Sequence, residues 1–503
     1  MSGLDPVWRR ASRIFTPVLL GFFLAIGYGD SVLGSFHGII GLILIVAFMP
    51  LDHTKRAAIY GWFVGLGYFG WTLRWIIEPF LVDVARHGWM APFALLLMAG
   101  GLALFWALGF GVARALGRRN GAVAWLPITL SATELVRGHV LSGFPWGLPS
   151  YTLIGGPADI WLAWVGSYGA TFLMLAFACA IVFAVSQSWK MATPVIAGLI
   201  FATIGLTVAT ATTLPVGEKT VRLIQPNAPQ HQKWDRDWMP VFFDRAIAQT
   251  GAGAAVDVVI WPETSIPALL EYADPWIEQI SLAARGAPVV GGIQRREQDA
   301  FYNSAILIEG PTTVTAISDK AHLVPFGEYI PLAWLLEPLG LGTLVDQVAG
   351  FSAGTGDGLM DIEGLGLARV LICYEDIFPE DMQRGEIRPD ILLIITNDAW
   401  FGNNAGPRQH LVQAQARAIE QGLPVVRAAN TGISAVIDAR GNVTAHLDLN
   451  EAGYLDAPVP LPLPITPYAR MGDWPLALLL IVALAAGVAR RIRNNIDPSA
   501  RRG

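Results

Sequence analysis

Cys373 closes the run Arg369-Val370-Leu371-Ile372, a short apolar and β-branched segment that reads as a strand. The residues after it, Tyr374-Glu375-Asp376-Ile377-Phe378-Pro379, cannot continue that strand. The thiol is thus expected at a strand end, on the rim of a sheet, where a substrate can reach it. Two other reactive side chains fall at comparable places. Glu263 follows Val258-Val259-Ile260-Trp261-Pro262, and Lys320 follows Ala316-Ile317-Ser318-Asp319. Singly, each has a plain structural reading: a buried cysteine behaves as a small hydrophobe, and a carboxylate or lysine at a strand end is usually just solvated.

Together they are the set that acyl transfer through a thiol requires. A thiol with pKa ~8.5 is only a few per cent ionised at neutral pH and needs a base or a cationic neighbour. Glu263 can take its proton and later return it to a leaving group. Attack on a carbonyl creates an oxyanion, which a fixed ammonium such as Lys320 and the Tyr374 backbone N–H after the cysteine can stabilise.

The elements that must hold these groups begin near Thr220. Strands are expected at 221–224, 256–261, 289–292, 305–308, 314–317, 369–372, 391–395 and 432–437, with helices at 240–249 and 409–421. Strands alternating with helices argue an α/β domain whose sheets are covered by helices. Charge marks the same region. Residues 216–470 carry 31 Asp plus Glu against 17 Lys plus Arg, a net of −14, while the remainder is net +8, together the −6 of the whole chain. The expected division is therefore helices over 1–215, an acidic domain over 216–470 and a last helix with a basic tail over 471–503.

The remainder is strongly apolar. Over 503 residues 53% are hydrophobic and only 15% charged, with 18 Trp and 53 Gly, and mean hydropathy is +0.47. That profile excludes an ordinary soluble protein and fits a polytopic membrane protein, with aromatics at the interfaces and glycines at close helix contacts. About eight transmembrane helices are expected, near 15–26, 39–49, 57–77, 90–116, 122–136, 161–185, 193–210 and 474–489. The first follows Arg9, Arg10 and Arg13 without a clear small-residue cleavage site, so it reads as an uncleaved span. Basic residues alternate between the loops. By the positive-inside rule both termini face the cytoplasm and the acidic domain faces away from it, in a Gram-negative cell the periplasm.

Within this frame Glu134 and Arg137 should be paired or interfacial, because an isolated charge at mid-bilayer costs about 2.5 to 3.5 kcal/mol on insertion scales. Two readings stand for the adjoining Gly143-Phe144-Pro145-Trp146-Gly147: a loop steadied by that ion pair, or one whose Trp146 lines a path for lipid. Gly65, Gly67 and Gly70 spell G-x-G-x-x-G inside an apolar helix with no preceding strand, which excludes a dinucleotide site. The eight histidines form no metal-binding pattern, and no metal or other cofactor is expected. Cys179, in an apolar run, is not a partner for Cys373, so the latter thiol is expected free. The basic excess falls at the ends of apolar segments, which argues against nucleic acid as a partner.

Glu263 in Trp261-Pro262-Glu263-Thr264, Lys320 before Leu323-Val324-Pro325-Phe326-Gly327-Glu328, and Cys373 in Cys373-Tyr374-Glu375 resemble the Glu, Lys, Cys triad of the nitrilase (carbon–nitrogen hydrolase) superfamily. With its membrane frame, nearly the whole chain resembles the apolipoprotein N-acyltransferase family. Supporting stretches are Gly143-Phe144-Pro145-Trp146, Gln225-Pro226-Asn227, Trp234, Asn303, Pro325 to Pro331, Asn397-Asp398-Ala399-Trp400-Phe401, and Gln409-His410 through Asn430-Thr431-Gly432.

The resemblance implies an αββα sandwich and a ping-pong reaction in an inner membrane. A phospholipid such as phosphatidylethanolamine acylates Cys373, and the α-amino group of a diacylglyceryl-cysteine on an apolipoprotein takes the acyl chain. It also implies that Glu328 orients Lys320 or assists proton transfer and that Tyr374 and Glu375 support the pocket. Trp234, Asn303 and Trp146 are candidate substrate contacts, Trp234 with an equal claim to a packing role. The aromatic loops 144–146 and 329–334 would form the junction with the bilayer, and the expected state is a monomer. Two alternatives stay open: a membrane-tethered amidase with water as acceptor, and a transporter or receptor whose outer domain does no chemistry.

Overall fold

The computed structural model describes residues 6–29, 33–117, 121–186, 189–209, 214–331 and 350–496. The chain divides into two compact units. One comprises Met1–Phe80, Val84–Thr212 and Thr466–Gly503, the other Leu81–Asp83 with Thr213–Ile465. The second thus ends at Ile465, against an expected limit of 470.

The first unit is helical. Its long helices among the described residues are α1 Pro6–Ile26, α2 Gly34–Ala47, α3 Thr54–Thr72, α4 Ala91–Leu116, α5 Gly121–His139, α6 Trp161–Ser186, α7 Trp189–Ala209 and, at the far end of the chain, α11 Trp474–Ile496. Three helical segments, Val84–Leu116, Trp161–Ser186 and Trp474–Asn494, are long and apolar enough to cross a membrane, and shorter apolar helices cover Arg13–Ile26, Gly34–Ala47 and Ile196–Val208. Their outward faces are apolar, with Leu97 76% and Trp474 81% exposed. Water does not tolerate such a surface, whereas lipid does.

Gly65 and Gly67 of the G-x-G-x-x-G run are helix contacts. A Cβ on Gly67 would strike the Val18 carbonyl of α1, and one on Gly65 would lie 2.9 Å from the Ala103 Cα of α4. Hydrogen in place of a side chain lets α3 pack closely between two neighbours.

Glu134 and Arg137 lie one turn apart on α5, both buried and ion-paired at 2.6 Å. Trp106 Nε1 of α4 donates to Glu134 Oε1 at 2.8 Å, and the guanidinium donates onward to the Phe144 and Trp146 carbonyls. The pair thus fixes the loop that follows α5. Trp146 is fully buried, its ring 4.6 Å from that of Trp75. Of the two readings of this loop, the packing favours the one in which the ion pair steadies it.

The second unit has four layers. One six-stranded sheet runs in the order β12-β1-β2-β3-β4-β5, formed by Gly453–Pro460, Val216–Gln225, Val258–Ile260, Val289–Glu297, Ala300–Ile308 and Val314–Asp319. The other runs β11-β10-β9-β8-β7-β6, formed by Val443–His446, Ala435–Ile437, Val425–Ala429, Ile391–Thr396, Gly366–Ile372 and Leu359–Ile362. Alternate side chains such as Leu223, Ile260, Leu307, Val370, Leu393 and Val426 meet between the sheets in a buried apolar core. Helices α8 Met239–Thr250 and α9 Asp274–Ala284 cover the outer face of the first sheet through Phe243, Ile277 and Ile280. Helix α10 Ala405–Gln421 covers the second through Ala414 and Ala418. This is the αββα sandwich. Residues 432–434, expected as strand, precede β10 instead.

Replacing Glu134 by Ala would leave Arg137 buried without its partner. The expected cost is about 3–5 kcal/mol, read as loss of folded, monodisperse protein in detergent. The double variant Glu134→Gln with Arg137→Met should recover much of it.

Candidate active site

Strand β2 ends at Ile260, and the buried Trp261 anchors the exit by donating from Nε1 to Thr250 Oγ1 of α8 at 2.9 Å. Pro262 cannot extend the ladder, and the chain turns through Glu263 to Thr264, whose φ is +44°. This turn lies flat on β3. A Cβ at Gly292 would stand 2.6 Å from the Glu263 Cα, so glycine there is what lets Glu263 come down onto the sheet. The Glu263 carboxylate is buried and held at both oxygens: Asn303 Nδ2 donates to Oε1 at 2.7 Å, and the Asn397 N–H donates to Oε2 at 2.9 Å.

Lys320 leaves the end of β5 and is also buried. Its backbone N–H donates to the Asn303 carbonyl at 2.8 Å, and its Nζ stands 3.0 Å from Glu328 Oε1 and 3.7 Å from Glu263 Oε1. Asn303 Nδ2 also reaches Glu328 Oε1 at 3.2 Å. One amide therefore bridges both carboxylates, and one ammonium pairs with both. Burial alone would push Lys320 toward its neutral form, but Glu328 and Glu263 override it and hold the side chain protonated. The other Glu328 oxygen accepts the Val324 N–H at 2.8 Å, tying the 323–328 loop to the site.

Cys373 stands where β7 gives way to a single 3₁₀ turn, Cys373–Ile377. Its φ is +54°, a left-handed conformation that costs an L-residue roughly 1–2 kcal/mol. Glu375 imposes it. Its Oε2 accepts the Ile372 N–H at 2.8 Å, while Oε1 accepts the Ala321 and His322 N–H groups at 2.9 and 3.1 Å and Arg384 Nη1 at 2.8 Å. One carboxylate thus joins the cysteine turn to the loop that carries Lys320. The Tyr374 ring is buried edge-on to Phe378.

The thiol is 6% exposed. Burial and then the Glu263 charge push its pKa well up, with Lys320 and the Thr396 hydroxyl opposing. At rest it is a protonated thiol, and a carboxylate base is what it needs for attack. Both cysteines of the chain are free. Among the described residues no group of three or more His, Cys, Asp or Glu is placed to hold a metal ion.

Residues 220–463 match the carbon-nitrogen hydrolase family, and residues 20–180 match the apolipoprotein N-acyltransferase N-terminal domain. The apolipoprotein N-acyltransferase of Caulobacter vibrioides is 38% identical over 492 residues, covering 92% of this chain and 91% of its own. The chain belongs to the apolipoprotein N-acyltransferase family. Members from Rhodopseudomonas palustris and Bradyrhizobium diazoefficiens are 36% and 38% identical, over 87% of this chain in both cases and 87% and 86% of their own.

Sequence reasoning about this family member brought Glu263, Lys320, Glu328, Asn303, Cys373 and Glu375 to notice, and the fold gathers all six. Trp234 lies beside them in sequence order only through its neighbour, since its own ring is 45% exposed and sits 5.6 Å from the Lys233 ammonium. Trp334, expected in an aromatic loop, lies outside the described residues.

Two features of this acyltransferase escaped the sequence. Nothing in the sequence singles out Lys233, yet its Nζ donates to the Glu263 carbonyl at 3.0 Å and to Thr264 Oγ1 at 2.8 Å. Behind Cys373, His410 of α10 bridges Asp376 at 2.6 Å and Asp398 at 2.9 Å, and Arg427 meets Asp398 at 2.7 Å. The stretches Asn397-Asp398 and Gln409-His410 were visible as motifs, but their pairing is tertiary. Burial pulls the His410 imidazole down, yet Asp376 and Asp398 outweigh it and hold it at about 9.

Two expectations follow from these bonds. Glu375→Ala should slow the reaction by about 10²-fold, the scale of a small misplacement of reacting groups, with the protein still folded by circular dichroism. The folded state also holds the His410 proton more tightly than the unfolded chain, whose histidine titrates near ~6.5. Its contribution to stability is therefore complete below that pH and lost as pH rises through about 9. The melting temperature should fall across that window, and His410→Gln should flatten the fall.

Proposed function

We propose that this chain moves a fatty acyl group from a phospholipid, of the phosphatidylethanolamine kind, to the α-amino group of the N-terminal diacylglyceryl-cysteine of an apolipoprotein, the last step of lipoprotein maturation. The reading rests on one observation above all: a Lys320 ammonium shared by the buried Glu263 and the partly buried Glu328, on a loop that Glu375 ties to the Cys373 turn.

In the first half-reaction the Cys373 proton passes to Glu263 as the sulfur attacks the ester carbonyl. The resulting oxyanion is met by the Lys320 ammonium and the Tyr374 N–H. As the tetrahedral adduct collapses, the ester C–O bond breaks, and Glu263 returns the proton to the departing lysophospholipid alkoxide. In the second half the acceptor amine, entering as the free base, attacks the thioester carbonyl. Glu263 removes its surplus proton, the C–S bond breaks, and the proton restores the thiol. Glu328 and Asn303 keep Lys320 and Glu263 in register throughout.

A lipid donor accounts for the helical unit. Drawing an acyl chain into water costs ~0.8 kcal/mol per CH₂, so the site has to meet a bilayer. The eight long helices are read as spans of an inner membrane, with both termini cytoplasmic, the catalytic unit periplasmic, and the working form a monomer. Trp234 and the exposed Phe326 and Trp400 suit the contact with acyl chain or membrane surface.

Incubation with phospholipid alone should add one acyl mass to the Cys373 peptide, labile to hydroxylamine, and Cys373→Ser should abolish the thioester. A diacylglyceryl-cysteine peptide should then discharge it to an N-acyl product. Release of free fatty acid instead would make the chain an amidase-like hydrolase, and an acyl group on another residue would remove Cys373 from the mechanism.

A further inference from the structure

Lys233 is a buried charge at the Glu263 turn to which the proposed chemistry gives no part. Lys233 ends the short helical turn Gln230–Lys233 and is only 6% exposed. Its ammonium reaches the Glu263–Thr264 turn by two bonds, to the Glu263 carbonyl and the Thr264 hydroxyl. Both acceptors belong to the residues whose backbone aims the Glu263 carboxylate, and Thr264 is held at positive φ. A lysine tucked against a main-chain carbonyl here is a clamp on the base.

Charge balance gives it a second role. Glu263 and Glu328 are two carboxylates, against which Lys320 supplies one ammonium. With Lys320 alone the cluster carries a net negative charge, and a thiolate or oxyanion formed in it would meet repulsion. A second buried ammonium brings the set to neutrality. The charged groups that act on the sulfur are Glu263, Lys320 and Asp398, and Lys233 is bonded to the turn that carries the first of them.

We propose that Lys233 is a positioning residue of the acyl-transfer site: it clamps the turn that aims Glu263 and supplies the second positive charge that lets negative charge develop at Cys373. The inference rests on Cys373 being the acyl-accepting nucleophile. Burial, partly offset by Glu263, lowers the lysine to about 8, so it is charged at neutral pH and loses that charge as pH rises through that value.

The test uses the full-length detergent-purified protein and iodoacetamide, with the rate of alkylation of the Cys373 peptide followed by mass spectrometry at pH 7, where Lys233 is charged, so that Cys179 does not interfere. Lys233→Gln is expected to slow that alkylation by ~10-fold and to slow thioester formation from phospholipid by about 10²-fold. Lys233→Arg, which keeps the charge, should hold the alkylation rate near the wild-type value. A structural lysine would leave that rate unchanged. Lys233→Gln with an unchanged alkylation rate overturns the proposal. Should the Gln variant fail to fold, Lys233→Arg carries the test, and a ~10-fold slower alkylation in it has the same force. Wild-type protein that forms no thioester would instead defeat the nucleophile assignment, an outcome read in a separate arm.

Discussion

The site depends on an ammonium locked between two carboxylates out of water. Lys320 is buried, and a buried charge is tolerable only when paired and hydrogen-bonded. Glu328 and Glu263 supply the pairing, and Asn303 spans the two so that neither carboxylate can swing away without leaving the other strained. The same arrangement that satisfies the lysine therefore fixes the base. Removing water from around these charges also strengthens their action on whatever negative charge forms at the sulfur.

Each of these side chains emerges where a strand is made to stop. Pro262 ends the ladder after β2, the turn at Cys373 ends β7, and β5 gives way at Lys320. Strand ends from two packed sheets then converge at one rim. The sandwich core needs no polar group of its own, and the polar groups need only the positions that the core sets. Glu375 couples two of these ends, so Cys373 and Lys320 are located by one another rather than independently.

Much of this was legible in residue order. Runs such as Val258-Val259-Ile260 and Ile391 to Ile395 are short, β-branched and bounded by breakers, and such runs announce both a strand and its end. The edge strands β6, β11 and β12 were not legible, because half their side chains face solvent and the apolar signal is diluted. Helix α9, Asp274–Ala284, also went unread. The inward turn of Lys233 and the partners of His410 lay beyond sequence reasoning. Nothing in Gln232-Lys233-Trp234 says that the lysine turns inward, since that follows from where β2 deposits Glu263, more than 25 residues on. Trp146 shows the converse. An aromatic beside Gly and Pro invites a surface role, but a facing Trp75 closes over it.

The left-handed backbone at Cys373 has a consequence for how such a chain can drift. Glycine would occupy φ +54° without the clash that Cβ creates. As far as the local backbone is concerned, the most comfortable residue at this position is one with no sulfur to offer. Selection for firmness alone would thus favour glycine at 373, and a thiol there answers a demand that folding by itself does not make.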